Sequence, residues 1–139
     1  MKFRYKEITA DIKRPIIPII LEHNGQSLAL SALIDSGADI SVFSAEVAEA
    51  LGIDLRQGQE GVLGGVVAGR TEPYYVHKLT LSVGGRHSDN VPIAFMPNLT
   101  RLGHGLLGQY GFFDLYTVKF DLTKGEVELK EYPPEKSTH

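Results

Sequence analysis

The sequence predicts a mainly β single domain with a closed, barrel-like sheet, and three features of its 139 residues indicate this. Short apolar runs recur along the chain and are separated by turns rich in glycine and asparagine. Residues 75–83 alternate between two faces, as a half-buried strand does. Only one or two segments suit short helices, and no internal repeat divides the chain. Many short strands with few helices are typical of an all-β barrel.

The first predicted element is a β-hairpin. Apolar runs from Ile16 to Glu22 and from Gln26 to Ile34 flank Asn24 and Gly25. Asn-Gly fits the two central positions of a type I′ turn, which both need positive φ. The second strand of this hairpin leads directly to Asp35.

A short helix is predicted next, from Ala45 to Leu51, with Ser44 as its cap and Gly52 as its end. A second short helix is expected over residues 109–115. Two glycines, Gly84 and Gly85, join the alternating strand to a return strand at 91–95, where Pro92 suggests a sheet edge. Further strands are predicted at 106–107 and on both sides of a turn at 121–125.

The predicted organisation is one domain over residues 15–130. Residues 1–14 have no clear period and are expected to form an N-terminal arm, and residues 131–139, with two prolines, a flexible C-terminal tail. A chain of this size buries a core without cross-links.

Composition excludes several classes of function. The net charge of −3 gives no basic surface for nucleic acid. No apolar run is long enough to span a membrane, so a soluble protein is expected. The chain has no cysteine, which excludes disulfides and a thiol nucleophile and fits a cytoplasmic location. Its histidines are scattered without metal-ligand spacing, so no metal or other cofactor is expected.

The stretch from Ala32 to Ser41 holds the best candidate for chemistry. Asp35, Ser36 and Gly37 interrupt an apolar sequence, so aliphatic side chains press on both sides of an ionisable group. Asp-Ser-Gly is also ordinary turn chemistry, and a plain turn is the alternative interpretation. A carboxylate that loses hydration must be hydrogen-bonded, paired or protonated, and this favours a functional role.

This stretch resembles the active-site signature of the retropepsin-like aspartic proteases, the family of the retroviral proteases and their small prokaryotic relatives. Gly105-Leu106-Leu107-Gly108 is similar to the hydrophobic-hydrophobic-Gly element of that family, and residues 62–66 lie where the family has a glycine-rich flap. The resemblance covers about residues 15 to 129. It implies the retropepsin-like acid protease fold and an aspartic endopeptidase.

The resemblance also implies roles for individual residues. Asp35 is the catalytic acid and base, and Ser36 and Gly37 support it. Asp39, Gly64 and Gly65 are expected to bind an extended peptide. Asp-Ser-Gly occurs once, so the second carboxylate must come from a second copy, in a homodimer.

Two departures from the family pattern change what is expected of Asp39 and of the dimer interface. Gln109 stands where viral members carry arginine, and the C-terminal residues include Pro133 and Pro134, which cannot pair as the viral termini do. An alternative function stays open, because a fold does not fix function and the same residues could be kept for dimer geometry. This alternative is a retropepsin-like dimer that binds an extended peptide or builds an assembly without cutting it.

Overall fold

The computed structural model describes residues 1–64, 71–97, 99 and 104–132. The strands are β1 (Lys2–Arg4), β2 (Lys6–Glu7), β3 (Lys13–Arg14), β4 (Ile16–His23), β5 (Gln26–Ile34), β6 (Val42–Ser44), β7 (Gln59–Gly64), β8 (Thr71–Val83), β9 (Arg86–Met96), β10 (Gly105–Leu107), β11 (Tyr116–Asp121) and β12 (Glu126–Glu131). One α-helix, α1 (Ala45–Ala50), and a 3-10 turn, Leu55–Gln57, complete the described elements.

The main sheet closes on itself, which confirms the predicted barrel. Its strand order is β4-β5-β10-β6-β9-β8-β7, and a further pairing of β4 with β8 joins the first strand to the sixth. These six strands form the closed barrel, and β7 extends beyond it as the partner of β8. Closure removes the open edges that a flat sheet would expose.

The centre of the barrel is apolar. Phe43, Phe95 and Phe112 are completely buried, and aliphatic residues of β4, β8 and β9 pack around them. Burial of such side chains is the main favourable term in folding. The alternating pattern of residues 75–83 therefore identified a face of β8 that packs in the core, because Leu79, Leu81 and Val83 all lie there.

The first hairpin and the helix form as predicted. Asn24 and Gly25 take φ values of 49° and 82° between β4 and β5. α1 ends before Gly52, whose φ is 71°. Ala48 and Leu51 are buried against the sheet, whereas Ser44 makes no side-chain capping hydrogen bond.

Two local predictions are wrong. Residues 111–115 form consecutive turns instead of a second helix. β9 is an internal strand rather than an edge strand, because it lies between β6 and β8. β6 pairs only with Ala94 to Met96 of β9. Pro92 is tolerated because no β6 residue pairs with it, so its missing N–H costs no hydrogen bond to β6.

A second, three-stranded sheet has the order β1-β12-β11. Lys2, Phe3 and Arg4 pair with Glu128, Val127 and Glu126, so the start of the predicted arm is a strand of this sheet. Residues 133–139 of the predicted tail lie outside the described residues. The division into arm, domain and tail stays a prediction.

No helix in the described ranges is both long and apolar enough to cross a membrane.

Candidate active site

Asp35 lies at the point where β5 leaves the barrel. Its backbone N–H donates a hydrogen bond of 2.9 Å to the carbonyl oxygen of Leu107, the last residue of β10. β10 runs parallel to β5, with Leu107 opposite Ile34. The apolar strand is thus held in place up to the residue before the carboxylate, and Asp35 itself is half-buried.

The turn after Asp35 gives the carboxylate a hydrogen-bond donor. Gly37 N–H donates to Asp35 Oδ1 at 2.9 Å, and Ala38 N–H donates to the Asp35 carbonyl at 3.1 Å. A Cβ at position 37 would lie 3.2 Å from Oδ1, so a side chain there would crowd the carboxylate. Ser36 and Gly37 are exposed, so the turn presents the carboxylate at the protein surface.

The residues after β10 contact the turn that follows Asp35. Gln109 N–H donates to the Ala38 carbonyl at 2.9 Å, and the Gln109 side-chain amide donates to the Ser36 carbonyl at 3.2 Å. A Cβ on Gly108 would lie 2.7 Å from the carbonyl oxygens of Ala38 and Ile40. Only glycine allows the two segments to approach this closely.

Ser41 is a supporting residue that the sequence analysis missed. It is completely buried, and its Oγ accepts a hydrogen bond of 3.0 Å from Gly108 N–H. Its N–H donates to Tyr110 and its carbonyl accepts from Ala94. The available signal was a hydroxyl in the otherwise apolar run from Ile40 to Phe43, since buried polar groups are nearly always hydrogen-bonded.

The other predicted site residues are only partly placed. Asp39 is exposed, and its carbonyl accepts a hydrogen bond of 3.0 Å from Tyr110 N–H. Gly64 is the last described residue of β7 and pairs with Thr71. Gly65 lies outside the described residues. The roles assigned to all six site residues stay predictions.

The described ranges contain no group of three or more His, Cys, Asp or Glu side chains that could hold a metal ion. Two side chains of the three-stranded sheet have pKa values that differ from their ordinary values. Burial and then the charge of Glu131 raise the pKa of Tyr116. Hydrogen bonds from Thr123 and then from Lys124 N–H lower the pKa of Asp121.

A closed barrel in which a strand ends in Asp-Ser-Gly, held by a neighbouring Leu-Leu-Gly strand, defines a retropepsin-like aspartic protease fold. The aspartyl protease family model matches residues 19–110, about two thirds of the chain, so the chain belongs to the aspartyl protease family. Its general activity class is therefore that of a peptidase.

Solved structures agree on the fold. A retropepsin-like aspartic protease from Rickettsia conorii is similar with a TM-score of 0.62 and 17% identity, over 91% of this chain and 97% of that chain. EIAV protease, solved with the inhibitor HBY-793, is similar with a TM-score of 0.51 and 22% identity, over 74% and 88% of the two chains. No curated protein matches this sequence.

Proposed function

We propose that the protein is an aspartic endopeptidase in which Asp35 residues from two copies share a proton and activate a water molecule. The observation that carries the proposal is the setting of Asp35. Its carboxylate follows the end of β5, where Ala32 and Ile34 are buried, is partly open to solvent and is oriented by Gly37 N–H. An oriented carboxylate in a half-buried turn suits acid and base chemistry.

The reaction needs two carboxyl groups in different protonation states. Two adjacent carboxylates do not both ionise easily, so one proton serves the pair. The ionised group takes a proton from water, which attacks the peptide carbonyl carbon, while the protonated group donates to the carbonyl oxygen. Collapse of the tetrahedral intermediate breaks the C–N bond, and the amine leaves with a proton. Because Asp-Ser-Gly occurs once per chain, a homodimer supplies the second Asp35.

The neighbouring residues have positioning roles in this proposal. Ser36 hydrogen-bonds across the dimer axis and holds the two turns together. Asp39 binds the backbone of an extended peptide substrate, and Gly64 and Gly65 contact the peptide. A peptide bound in this way adds main-chain hydrogen bonds like an extra strand. We also propose a cytoplasmic location, since the chain lacks cysteine.

Cleavage of a mixed peptide library between mildly acidic and neutral pH tests the reaction, with Asp35→Asn as the inactive variant. Asp54→Asn is the matched control, because Asp54 makes no side-chain capping hydrogen bond at the start of its 3-10 turn. We expect products from the wild type and the control, and none from Asp35→Asn. Equal peptide binding by wild type and Asp35→Asn without products would instead indicate the non-catalytic peptide-binding dimer.

Mixing the wild type with Asp35→Asn tests whether two copies share the site. A heterodimer carries only one functional carboxyl group and is inactive. An equal mixture at constant total protein should then retain about one quarter of the wild-type rate, whereas independent monomers would retain about one half. A retained half would exclude the shared dyad.

A further inference from the structure

The β2–β3 hairpin exposes every side chain that it carries. Within the described ranges, β2 and β3 pair only with each other, as a separate two-stranded sheet, and each residue from 6 to 14 is exposed. A two-stranded hairpin has marginal stability in water when it packs against nothing else. The hairpin therefore presents a surface that a ligand can cover and stabilise.

One face of this hairpin carries two positive and two apolar side chains. Lys6 lies opposite Arg14 in the ladder, and Ile8 N–H donates a hydrogen bond of 2.8 Å to the Ile12 carbonyl, which continues the same register. Side chains two residues apart on a strand share a face. Lys6, Ile8, Ile12 and Arg14 consequently form one surface, the hairpin face. Ile8 and Ile12 are 43% and 44% exposed on it.

The positive pair on the hairpin face forms no salt bridge with any described residue. Like charges directly across a ladder destabilise a sheet. On the opposite face, by contrast, Glu7 lies across from Lys13, so these two charges offset each other. An anionic group placed between Lys6 and Arg14 would remove the repulsion, and the adjoining isoleucines suit aliphatic side chains.

The hairpin joins the barrel beside the candidate catalytic residue. The carbonyl oxygen of Pro15, which follows β3, accepts a hydrogen bond of 3.0 Å from Ile34 N–H. Asp35 is the residue after Ile34, and Arg14 is the residue before Pro15. Arg14 and Asp35 are therefore each one residue away from the same hydrogen bond, so the hairpin begins where the Asp35 turn begins.

We propose that the hairpin face binds an acidic and aliphatic segment of the peptide substrate, close to the bond that Asp35 cleaves. The choice of substrate rests on the proposed function, because it extends the same peptide-binding site. Carboxylates of the segment lie between Lys6 and Arg14, and its aliphatic side chains contact Ile8 and Ile12. An anionic membrane offers similar chemistry, but the position of the hairpin beside Asp35 favours a peptide.

Two peptides with the same cleavable centre test the preference. One has a flanking Glu-Leu-Glu-Leu segment and the other has Gln-Leu-Gln-Leu, placed in turn on each side of the centre. Two exposed ion pairs support a difference of about tenfold, so we expect kcat/KM to be about tenfold higher for the acidic peptide. This ratio should fall as salt is added, because exposed charges are screened. Equal kcat/KM values for the two peptides at low salt would overturn the proposal.

Lys6→Gln and Lys13→Gln form a matched pair of variants. Each removes one positive charge from the same hairpin, but from opposite faces. Lys6→Gln should reduce the preference for the acidic peptide to about threefold, and Lys13→Gln should keep it. Lys6→Glu should abolish the preference. An equal decrease in Lys6→Gln and Lys13→Gln would show that net charge alone attracts the peptide, which overturns the hairpin face as its binding site.

Ile8→Ser tests the apolar part of the hairpin face. The variant should raise the KM for the Glu-Leu-Glu-Leu peptide about threefold, because it removes apolar contact area. Ile20→Ser is the matched control at an isoleucine of β4 that is also 43% exposed, and it should leave KM unchanged. Circular dichroism checks that both variants keep the fold. Equal KM values for Ile8→Ser and the wild type would contradict the apolar contact.

Binding to the Asp35→Asn variant, measured by fluorescence anisotropy, separates this proposal from the proposed function. Cleavage of both peptides without preference contradicts the hairpin face alone. Preferential binding of the acidic peptide that Lys6→Gln weakens, with no cleavage by the wild type, supports the hairpin face and contradicts the peptidase. Equal binding of both peptides, together with Lys6-dependent sedimentation on phosphatidylserine vesicles, would assign the hairpin face to membranes and overturn the proposal.

Discussion

The Gln109 side-chain amide donates a hydrogen bond of 3.2 Å to the carbonyl oxygen of Ser36. Gln109, which follows Gly108 after the end of β10, thus supports the turn that carries Asp35 through a neutral contact. The viral proteases carry arginine at the position of Gln109. A neutral donor holds the turn without adding a charge beside it.

Replacing Gln109 with alanine should lower peptide cleavage more than stability. The variant loses the contact to Ser36 but keeps the backbone hydrogen bond to Ala38. An exposed hydrogen bond of this kind contributes about 1 kcal/mol or less to the free energy of unfolding. We expect kcat to fall about tenfold, because a misplaced catalytic group is costly. Steady-state kinetics and thermal unfolding measure both effects, and Gln57→Ala, at a remote exposed glutamine, should change neither. Equal losses of cleavage in the two variants would contradict the role of Gln109.

Gly108→Ala should destabilise the protein by about 3 kcal/mol. Its Cβ would meet the backbone oxygens of Ala38 and Ile40 at 2.7 Å, and backbone atoms cannot move aside as a flexible side chain can. Denaturant unfolding measures the loss. Gly25→Ala is the comparison, because Gly25 has no atom within 4 Å but has a φ of 82°. It should cost only about 1 kcal/mol, from backbone conformation alone. A smaller loss at Gly108 than at Gly25 would contradict this packing.

Ser41→Ala should cost about 1 to 3 kcal/mol in the free energy of unfolding. The change leaves the buried N–H of Gly108 without its acceptor, so its desolvation is no longer compensated. Ser44→Ala is the matched control at a serine that makes no side-chain capping hydrogen bond, and it should be nearly neutral. Chemical denaturation of both variants distinguishes them. Similar denaturation midpoints for Ser41→Ala and Ser44→Ala would show that the Ser41 hydroxyl has no structural role.

Tyr116→Phe should stabilise the protein by about 1 kcal/mol, because the buried Tyr116 hydroxyl has no hydrogen-bond partner among the described residues. Burial and then the charge of Glu131 raise the pKa of Tyr116 above the ordinary 10.0. A raised pKa stabilises the folded state below pH 10.0, and this contribution is lost as the pH rises through the folded value. The free energy of unfolding, measured as the pH rises into the alkaline range, should therefore decline more steeply for the wild type than for Tyr116→Phe.

Asp121→Asn should remove an acid-dependent contribution to stability. Asp121 Oδ1 accepts hydrogen bonds from the Thr123 hydroxyl at 2.7 Å and from Lys124 N–H at 3.1 Å, and these contacts lower its pKa from 3.8. The contribution is present above pH 3.8 and is lost as the pH falls through the folded value. Wild type and variant should differ near neutral pH and converge in acid. A difference that does not depend on pH would exclude the carboxylate as the cause.

Local chemistry made much of the fold predictable. Asn24 and Gly25 define the first hairpin because few other residues accept its backbone angles. The apolar strand that ends at Asp35 was recognisable for a similar reason, since a carboxylate among aliphatic side chains is costly without a role. These signals lie within a few residues of the feature that they predict.

Features that depend on distant pairing could not be predicted from local patterns. Ser41 contacts Gly108 across 67 residues, and nothing beside Ser41 in the chain indicates this partner. Pro92 suggested an edge, but β6 begins its pairing two residues later, at Ala94. The run from 111 to 115 has helical spacing, yet Phe112 is buried among the turns that lead into β11. Tertiary packing overrides local preference at such positions.

Different parts of β8 pair with different strands. Tyr74 and Val76 pair with β7, whereas Leu81 and Ser82 pair with β4 and close the barrel. An irregularity in the β8–β9 register falls between Leu79 and Leu81, near the boundary of these two halves. The hydrogen bonds that hold β7 and those that close the barrel are therefore formed by different residues of one strand, so a change in the β7 pairing leaves the closing contacts with β4 intact.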